Sequence, residues 1–366
     1  SDAITLASDG TCTANITNRS NRNKIINGAM TVHQRSSSVT GITSNGYQTA
    51  DRMLLNVSTG TFTNTISTDT PDGFGSSFKI DCTTADTSLS AGDNVLFKQR
   101  IEGQNLQDFA KGTSAAKQFA VSFYVKTNKS GVYTVELSDI DNSRIATKTF
   151  TVSDSNWNRY TLTFPADTTG AFDNDNAVSL DLIIWLAAGT TFTSGTLNTS
   201  SWASKTNANR VSSSNVNIAD STSNEWYLTG VQLEVGSVAT DFEHRSYGDE
   251  LLKCQRYFCK AAEKGGSDHS AGMGTNYSSS VGYIHVRFPV TMRTNPTLDQ
   301  ITGTSYYRIF SNGSYETFDS FNSLDTATVT PQCAEVLKSG ISITQGSANF
   351  VRYQHSEAEI RFSAEL

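Results

Sequence analysis

Apolar residues recur at every second position in short segments that are separated by glycine, asparagine and aspartate. The clearest series spans residues 119–125, and another follows at 133–137 across the turn KTNKSG. Because successive side chains of a strand point to opposite faces, this period of two predicts strands with one buried face. The stretch 180–186 is almost continuously apolar, which predicts a central strand covered on both sides. The chain is therefore expected to be all-β, with a jelly-roll-like antiparallel β-sandwich.

The spacing of the apolar residues changes from a strand pattern to a helix pattern between residues 224 and 260. Trp226 and Leu228 alternate with polar residues, and after Gly230 the alternation shifts, which suits a β-bulge at the glycine. From Asp249 the apolar residues fall on one face of a helix, and Asp249 is placed to accept the first free amides. The sequence therefore predicts a closing strand, a polar hinge and a short linking helix.

These patterns divide the chain into four segments. Residues 1–22 are polar and cannot bury enough surface to fold alone, so they are expected to be a linker or the end of a shaft. Residues 23–247 form the predicted sandwich, 248–263 the linking helix and 264–366 a small β-rich tip domain. Because the tip is small for independent stability, self-association is expected.

Charge and hydropathy exclude several classes of partner. The net charge is −7 and the pI is about 5.3, which argues against gripping nucleic acid or an anionic membrane. No apolar run is long enough to cross a bilayer, and the N-terminus lacks the profile of a signal peptide. Because the chain begins at Ser1 without methionine, we expect a fragment or a trimmed product.

The five cysteines are odd in number and scattered, namely Cys12, Cys82, Cys254, Cys259 and Cys333. They form no CxxC pair and show no metal-ligand spacing. Buried free thiols are therefore expected, in a protein assembled in a reducing cytoplasm.

Several motifs together resemble a known family. The segment GVQLEVGSVATDFEHRSYGDELLKCQRYF at 230–258 is similar to the junction in many bacteriophage tail-fibre proteins between a sandwich like a carbohydrate-binding module and a C-terminal tip. The other matching segments are NKIINGAMTVHQR at 23–35, GYQTADRM at 46–53, FPADTTGAFDNDN at 164–176, LAAGTTFTSGTL at 186–197, FPVTMRTNPTL at 288–298 and the terminal SAEL. Motifs in the right order over most of the chain are more specific than any one of them.

The resemblance implies a receptor-binding part of a phage tail fibre, made in the host cytoplasm and assembled as a homotrimer in the virion with other tail proteins. Its implied ligand is host cell-surface polysaccharide or lipopolysaccharide, bound without catalysis. Two alternatives stay open, a tail-associated polysaccharide depolymerase and a purely structural spacer. A depolymerase would usually show a long repetitive β-helix, and no regular repeat is present.

Aromatic side chains that could stack on sugar rings are the candidate glycan contacts. In the sandwich they are Tyr124, on the polar side of the 119–125 strand, and Tyr47, Trp157 and Trp202 in apparent loops. In the tip they are Tyr277, Tyr306 and Tyr307, together with Arg308, whose guanidinium could bond sugar hydroxyls. The alternative for each is packing in a core or in a subunit interface.

Acidic loops raise the question of a metal. The carboxylates of Asp139, Asp141, Asp173 and Asp175 lie on turns, and such hard oxygen ligands are what calcium takes. The alternative is that these side chains cap their own turns, and no other cofactor is expected.

No catalytic residue is predicted. The five histidines show no catalytic or zinc-binding spacing. Glycoside hydrolysis would need two carboxyl groups across a cleft. Glu102, Glu136, Glu225 and Glu234 supply candidates, but the sequence brings no two together, so we expect that the chain is not an enzyme.

Overall fold

The computed structural model describes residues 4–6, 12–14, 20–261 and 268–366, with side chains from residue 20 onwards. The chain divides into two compact units, Ser1–Arg245 and Ser246–Leu366. In the predicted shaft end, β1 (Ile4–Leu6) pairs antiparallel with β2 (Cys12–Ala14). The rest of the expectation for 1–19 lies outside the described residues.

The first unit contains the predicted sandwich. Its strands are β3 (Ser38–Ile42), β4 (Gly46–Tyr47), β5 (Leu54–Val57), β6 (Thr61–Ser67), β7 (Ser77–Thr84), β8 (Asn94–Glu102), β9 (Phe119–Thr127), β10 (Gly131–Asp139), β11 (Arg144–Val152), β12 (Asn158–Phe164), β13 (Val178–Ala188), β14 (Ala203–Ser204) and β15 (Glu225–Val235). A one-turn helix, α1 (Thr190–Thr193), and four 3₁₀ turns lie between them, at Gly103–Asn105, Gln107–Phe109, Asn207–Asn209 and Ile218–Asp220.

These strands form two sheets, and the pairs are antiparallel. The seven-stranded sheet has the order β14-β11-β10-β13-β8-β5-β4, and the six-stranded sheet has the order β12-β9-β15-β7-β6-β3. The predicted all-β, jelly-roll-like sandwich is thus confirmed. The central strand predicted at 180–186 is β13, which lies between β10 and β8 and is buried from residue 179 to residue 187.

The core lies between the inward faces of the two sheets. Phe97 of the seven-stranded sheet contacts Phe78 and Trp226 of the six-stranded sheet, with ring centroids 5.5 Å and 6.2 Å apart. All three side chains are fully buried. Aromatic side chains bury more apolar area than other types, so contacts between the sheets of this kind contribute much of the stability.

The predicted bulge at Gly230 is confirmed. The register of β15 against β9 shifts between Thr229 and Gln232, and Gly230 has a φ of +62°. A Cβ atom there would lie 2.8 Å from the rings of both Phe74 and Tyr124. Glycine is therefore required both by the left-handed backbone and by the close approach of two aromatic side chains.

The second unit opens with a helix, α2 (Tyr247–Gln255), which is shorter than predicted and differently capped. Ser246 is the N-cap, and its side chain accepts a hydrogen bond from the Asp249 amide. The expectation that Asp249 itself caps the helix is wrong, because the Asp249 carboxylate binds the Ser246 hydroxyl at 2.7 Å. This reciprocal pairing resembles a capping box.

Strands fill the rest of this unit. They are β16 (Phe258–Lys260), β17 (Ser270–Asn276), β18 (Val281–Arg287), β19 (Thr297–Ile301), β20 (Tyr307–Ser311), β21 (Ser314–Phe318), β22 (Ser323–Leu324), β23 (Cys333–Ser339), β24 (Ala348–Tyr353) and β25 (Glu359–Ser363). Three of them form a sheet of order β16-β25-β19, and seven form a sheet of order β21-β20-β24-β17-β18-β23-β22.

One part of the second unit departs from the sequence prediction. The glycine-rich pattern of the stretch after residue 261 predicts a loose segment, yet residues 270–276 form strand β17 between β24 and β18. At Gly274 a Cβ atom would lie 1.9 Å from the carbonyl oxygen of Tyr283 on β18. The glycine therefore permits close backbone approach rather than a loop.

Cys82, Cys254, Cys259 and Cys333 carry thiols and not disulfides, and the first three are buried. Burial raises the pKa of the Cys259 thiol to about 12, so this group stays protonated and unreactive. The side chain of Cys12 lies outside the described residues. In the part of the chain that the structure describes, no helix has the length and apolar character needed to cross a membrane.

We predict that Phe119→Ala destabilises the first unit by about 3–5 kcal/mol, because it opens a cavity in the core. The Phe119 ring is buried and stacks on Phe109 at 4.0 Å. The four tryptophans all belong to the first unit, so denaturant unfolding followed by tryptophan fluorescence reports on that unit. Thr161→Ala is the control, because Thr161 is exposed on the adjacent strand β12. A loss below about 1 kcal/mol for Phe119→Ala would contradict this account of the core.

Candidate functional site

Two of the predicted glycan contacts share one surface. Tyr124 lies on β9 with its side chain on the outer face of the six-stranded sheet, and Trp157 directly precedes β12, the strand that pairs with β9. Both side chains are half-buried. The other three tryptophans, Trp185, Trp202 and Trp226, are buried, so Trp157 is the tryptophan that offers its ring to solvent.

Trp157 is held in place by hydrogen bonding and ring packing. Its Nε1 donates to Asp69 Oδ1 at 2.9 Å, and the other oxygen of Asp69 lies 2.5 Å from Lys126 Nζ. The Trp157 ring meets Tyr227 edge to face, with centroids 6.1 Å apart. The hydrogen bonds from Lys126 and Trp157 hold the pKa of Asp69 below its usual range. The indole is therefore oriented before any ligand arrives, which limits the entropy lost on binding.

Tyr227 was missed as a site residue in the sequence analysis. It lies on β15 between the inward-facing Trp226 and Leu228, so the strand alternation itself places Tyr227 on the outer face. Its hydroxyl donates to Glu225 Oε2 at 2.8 Å, and its ring lies 5.2 Å and 5.6 Å from the ammonium groups of Lys79 and Lys126. Such cation–π contacts fix the ring between two lysines.

Charged groups continue this surface beyond Tyr227. Lys79 Nζ lies 2.8 Å from Asp81 and 2.9 Å from Glu225, and these two carboxylates face each other across β7 and β15. Desolvation, together with the hydrogen bond to Glu225, raises the pKa of Asp81 despite the opposing effect of Lys79. Desolvation acts to raise the pKa of Glu225 too, but hydrogen bonds with Lys79 and Tyr227 outweigh it and leave a lowered value. Lys79 therefore favours the charged form of both carboxylates, and burial opposes it.

Further rings extend the surface on the other side of Tyr124. Phe74, in the turn before β7, lies 5.3 Å from Tyr124, 5.1 Å from Phe242 and 5.1 Å from His244, measured between centroids. We call the set Trp157, Tyr227, Tyr124 and Phe74, with the charged groups around it, the outer aromatic face. Tyr227 is buried, so the ring surfaces that the face offers are those of the half-buried Trp157, Tyr124 and Phe74. They lie beside hydrogen-bonding lysines and carboxylates, the combination that binds sugars.

The outer face of the seven-stranded sheet is covered instead. Trp185 and Val211 are buried there, and Phe192 packs on Trp185 at 5.1 Å. Glu136 is fully buried and accepts hydrogen bonds from Trp185 Nε1 at 2.9 Å and from Arg210 at 3.1 Å. The chain between α1 and residue 216 therefore occupies the surface that a ligand would need.

The structure rules out two of the predicted glycan contacts and separates a third. Trp202 is buried in the sandwich core, and its Nε1 donates to the Pro165 carbonyl at 2.8 Å. Tyr307 is fully buried in the second unit, where its hydroxyl donates to the Ile301 carbonyl at 2.5 Å. Neither ring can stack on a sugar, because core side chains cover it. Tyr47 lies at the edge of the seven-stranded sheet under Arg35, whose guanidinium carbon is 5.3 Å from the ring centroid.

The remaining tip candidates are not brought together into one site. Tyr277 is 72% exposed, and Tyr306 stacks on His355 with centroids 4.3 Å apart. Arg308 lies 4.4 Å above the ring of Tyr315. Phe310 pairs across strands with Tyr315 and Phe350, so an aromatic row crosses the outer face of the larger sheet. This row is a second surface that could contact a partner.

The predicted calcium ligand Asp139 is engaged by a different cation. Its carboxylate is fully buried and lies 2.5 Å from Lys111 Nζ. The prediction at Asp139 is therefore wrong, because a lysine ammonium occupies the position expected for the metal. Within the described residues no group of three or more histidine, cysteine or acidic side chains could hold a metal ion.

Two of the other three acidic residues accept hydrogen bonds from backbone amides. Asp141 accepts a hydrogen bond from the Asp173 amide at 3.0 Å, and Asp175 accepts one from the Ala177 amide at 2.9 Å. Asp141, Asp173 and Asp175 are exposed. Turn capping of this kind was the alternative interpretation of the acidic loops.

The carboxylates considered for glycoside hydrolysis do not form a cleft pair. Glu102, Glu136 and Glu234 are buried, and Glu234 binds Thr240 and lies 3.6 Å from Arg22. Asp81 and Glu225 are accessible, but they share Lys79 and bond to each other on an open sheet face. Hydrolysis needs carboxyl groups at least about 5 Å apart with a sugar between them, so this contact pair does not fit.

No family model matches the chain, and no curated protein does. Solved structures that resemble it are carbohydrate-binding modules. The structure titled "CBM4 structure and function" has 13% identity and a TM-score of 0.25, and the match covers 47% of this chain and 77% of that one. The xylan-binding domain from family 22 has 12% identity and a TM-score of 0.29, covering 55% and 99%. The family 11 module from Clostridium thermocellum, in complex with a β-1,3-1,4-mixed-linked tetrasaccharide, has 10% identity and a TM-score of 0.27, covering 57% and 99%. At such values the likeness carries no argument about ligands.

The lowered pKa of Asp69 gives a testable pH dependence. A carboxylate with a lowered pKa in the folded state stabilises the fold above its ordinary pKa of 3.8, and this contribution is lost as the pH falls through the lowered value. We expect the fluorescence of Trp157, taken as the difference between wild type and Trp157→Phe, to change only below pH 3.8. In Asp69→Asn that acid step should disappear. A step of equal size in Asp69→Asn would mean that Asp69 does not control the indole.

Proposed function

We propose that this chain is the receptor-binding part of a phage tail fibre, which attaches the virion to host cell-surface polysaccharide or lipopolysaccharide without cleaving it. The outer aromatic face of the sandwich is the glycan-binding site. The observation that carries this assignment is the oriented, solvent-facing indole of Trp157, anchored by Asp69 and packed beside Tyr227.

The chemistry of the face suits a sugar. Apolar ring faces of a sugar stack on aromatic side chains, while its hydroxyls bond to charged groups such as Lys79, Lys126 and Glu225. These groups are partly exposed and already satisfied by one another, so a hydroxyl can exchange with them at little cost. An open face gives modest affinity per site. Three copies on one fibre raise the effective concentration, so that weak contacts add to firm attachment.

The tail-fibre assignment rests on the sequence resemblance. The boundary between the two compact units, at Arg245 and Ser246, falls inside the segment 230–258 that resembles the junction of tail-fibre proteins. This coincidence supports the proposal. Homotrimer formation and contact with other tail proteins belong to the same proposal and follow from the resemblance alone.

We expect Trp157→Ala to weaken binding of host polysaccharide at least about tenfold, which corresponds to roughly 1.4 kcal/mol. Tyr277→Ala is the matched control, because Tyr277 is a 72% exposed aromatic residue of the second unit and lies outside the outer aromatic face. Isothermal titration or surface immobilisation of the polysaccharide measures both. If Tyr277→Ala abolishes binding and Trp157→Ala does not, the receptor site belongs to the second unit.

Light scattering after size exclusion tests the wider proposal. A mass near three times 39.6 kDa for the protein alone supports the fibre trimer, and a monomer contradicts it. When the protein is mixed with host polysaccharide, co-elution at unchanged polymer mass supports attachment. Shortened polymer would show a depolymerase. If the mixture shows no binding and no cleavage, the result favours the structural spacer.

A further inference from the structure

A lysine and an aspartate are packed against each other in the sandwich, away from water. The side chains of Lys111 and Asp139 are both fully buried, and Lys111 Nζ lies 2.5 Å from Asp139 Oδ2. Rings of Phe172 and Trp202 have their centroids 5.1 Å and 5.2 Å from the same nitrogen. Exclusion of water strengthens every polar contact here. It also reduces the free-energy difference between the charged pair and its neutral form, in which the lysine is an amine and the aspartate is a carboxylic acid.

The surrounding backbone directs the amine at the carboxyl group. Lys111 Nζ donates to the carbonyl oxygens of Thr169 at 3.1 Å and Gly170 at 2.6 Å. These two bonds use two of the three hydrogens of the ammonium. Once the third proton is lost, the lone pair that replaces it faces Asp139. An amine held in contact with the carboxyl group that it attacks gains a large effective concentration.

The carboxyl group of Asp139 is prepared as the electrophile. Its Oδ1 accepts a hydrogen bond from the Asn142 backbone amide at 3.0 Å, and Asn142 Nδ2 lies 3.2 Å from Oδ1 and 3.0 Å from Oδ2. When a nucleophile adds to the carboxyl carbon, negative charge develops on this oxygen. The Asn142 backbone amide is directed at it and serves as an oxyanion-hole donor, while Nδ2 is shared between the two oxygens.

A second carboxylate is placed to move the proton. Asp167 Oδ2 lies 3.1 Å from Lys111 Nζ. Arg144 holds Asp167 through Nε at 2.8 Å and Nη2 at 3.1 Å, and the Thr169 amide donates to its Oδ1 at 3.0 Å. A general acid–base group must lie within hydrogen-bond reach of the proton it transfers, and Asp167 does.

We propose that Lys111 and Asp139 condense to form an intramolecular isopeptide bond, with Asp167 as the proton carrier. The ammonium first gives one proton to Asp139 Oδ2, which makes the neutral amine and the carboxylic acid. Nζ then adds to Cγ of Asp139, and the Oδ1 oxyanion is held by Asn142. Asp167 takes a proton from the nitrogen and returns it to the Oδ2 hydroxyl, which leaves as water. One N–C bond forms, one C–O bond breaks, and no oxidant or further reactant is needed.

The bond would join the segment after the turn Gln107–Phe109 to the end of β10, so it would lock one end of the sandwich covalently. Such a link shortens the loops that the unfolded chain can explore, as other cross-links do. This inference is independent of the glycan-binding proposal.

Intact mass spectrometry of the purified protein under denaturing conditions tests the proposal. We expect a mass about 18 Da below that of the linear chain, the loss of one water. Trypsin cannot cut after an acylated lysine, so peptides 101–117 and 130–144 should be found joined in one branched product. Wild-type protein at full mass after prolonged incubation would overturn the proposal. So would loss of water confined to a linear peptide, since that marks a cyclised aspartate.

Variants separate the roles of the three residues. Lys111→Arg keeps the buried positive charge but removes the nucleophile, and Asp139→Ala removes the electrophile, so both should show the full mass expected for their sequences. Asp167→Asn keeps the nucleophile and the electrophile, and it should stay at full mass because proton transfer is lost. Circular dichroism verifies that each variant folds. Because the wild-type measurement needs no variant, misfolding of any of them leaves the test intact. Branched product in Asp167→Asn would refute the role of Asp167.

Discussion

The inward packing of Trp226 and Leu228 on strand β15 determines what the rest of the sandwich can do. These side chains close the core against the seven-stranded sheet, where Trp226 meets Phe97. Since a strand alternates, packing them inward places Tyr227 and Thr229 on the opposite face of the sheet, where both are covered by neighbouring side chains. The core thus fixes the outer aromatic face, because no change of rotamer can carry Tyr227 to the other side of the sheet. The bulge at Gly230 then lets Phe74 and Tyr124 approach the backbone closely and continue that face.

Most of the fold could be predicted from the sequence, because the patterns that indicate its strands are local. Alternation at 119–125 and 133–137 predicted two strands, β9 and β10, which are consecutive in the chain and belong to different sheets. The continuous apolar run at 180–186 predicted the central strand β13. Local signals failed where a partner distant in sequence decides the outcome. The strand at 270–276 needs the carbonyl of Tyr283 close to Gly274, and a glycine-rich pattern alone cannot distinguish such an approach from a loop.

The candidate site could be predicted from the sequence only in part, for the same reason. Tyr124 and Trp157 could be chosen from their sequence pattern. Their neighbour Tyr227 could be found only by working out which residues of β15 lie on the outer face, and Asp69 lies 88 residues from Trp157 in sequence. Trp202 and Tyr307 were misjudged because an aromatic residue in an apparent loop or at a strand start has the same pattern whether it packs inward or outward. The metal prediction at Asp139 failed because Lys111, 28 residues earlier, supplies the cation.

Charged side chains on the outer faces of the two sheets differ in their exposure to solvent. This difference bears on where a ligand can bind. On the seven-stranded sheet, Glu136 and Arg210 are covered, so a ligand would have to break buried ionic contacts, which costs several kcal/mol for each charge left unpaired. On the six-stranded sheet, Lys79, Lys126 and Glu225 are partly exposed, and exposed ion pairs contribute little to stability. A sugar hydroxyl can therefore replace one partner of these pairs without destabilising the fold. This contrast supports the proposal that a ligand binds at the outer aromatic face, where Trp157 would supply the stacking.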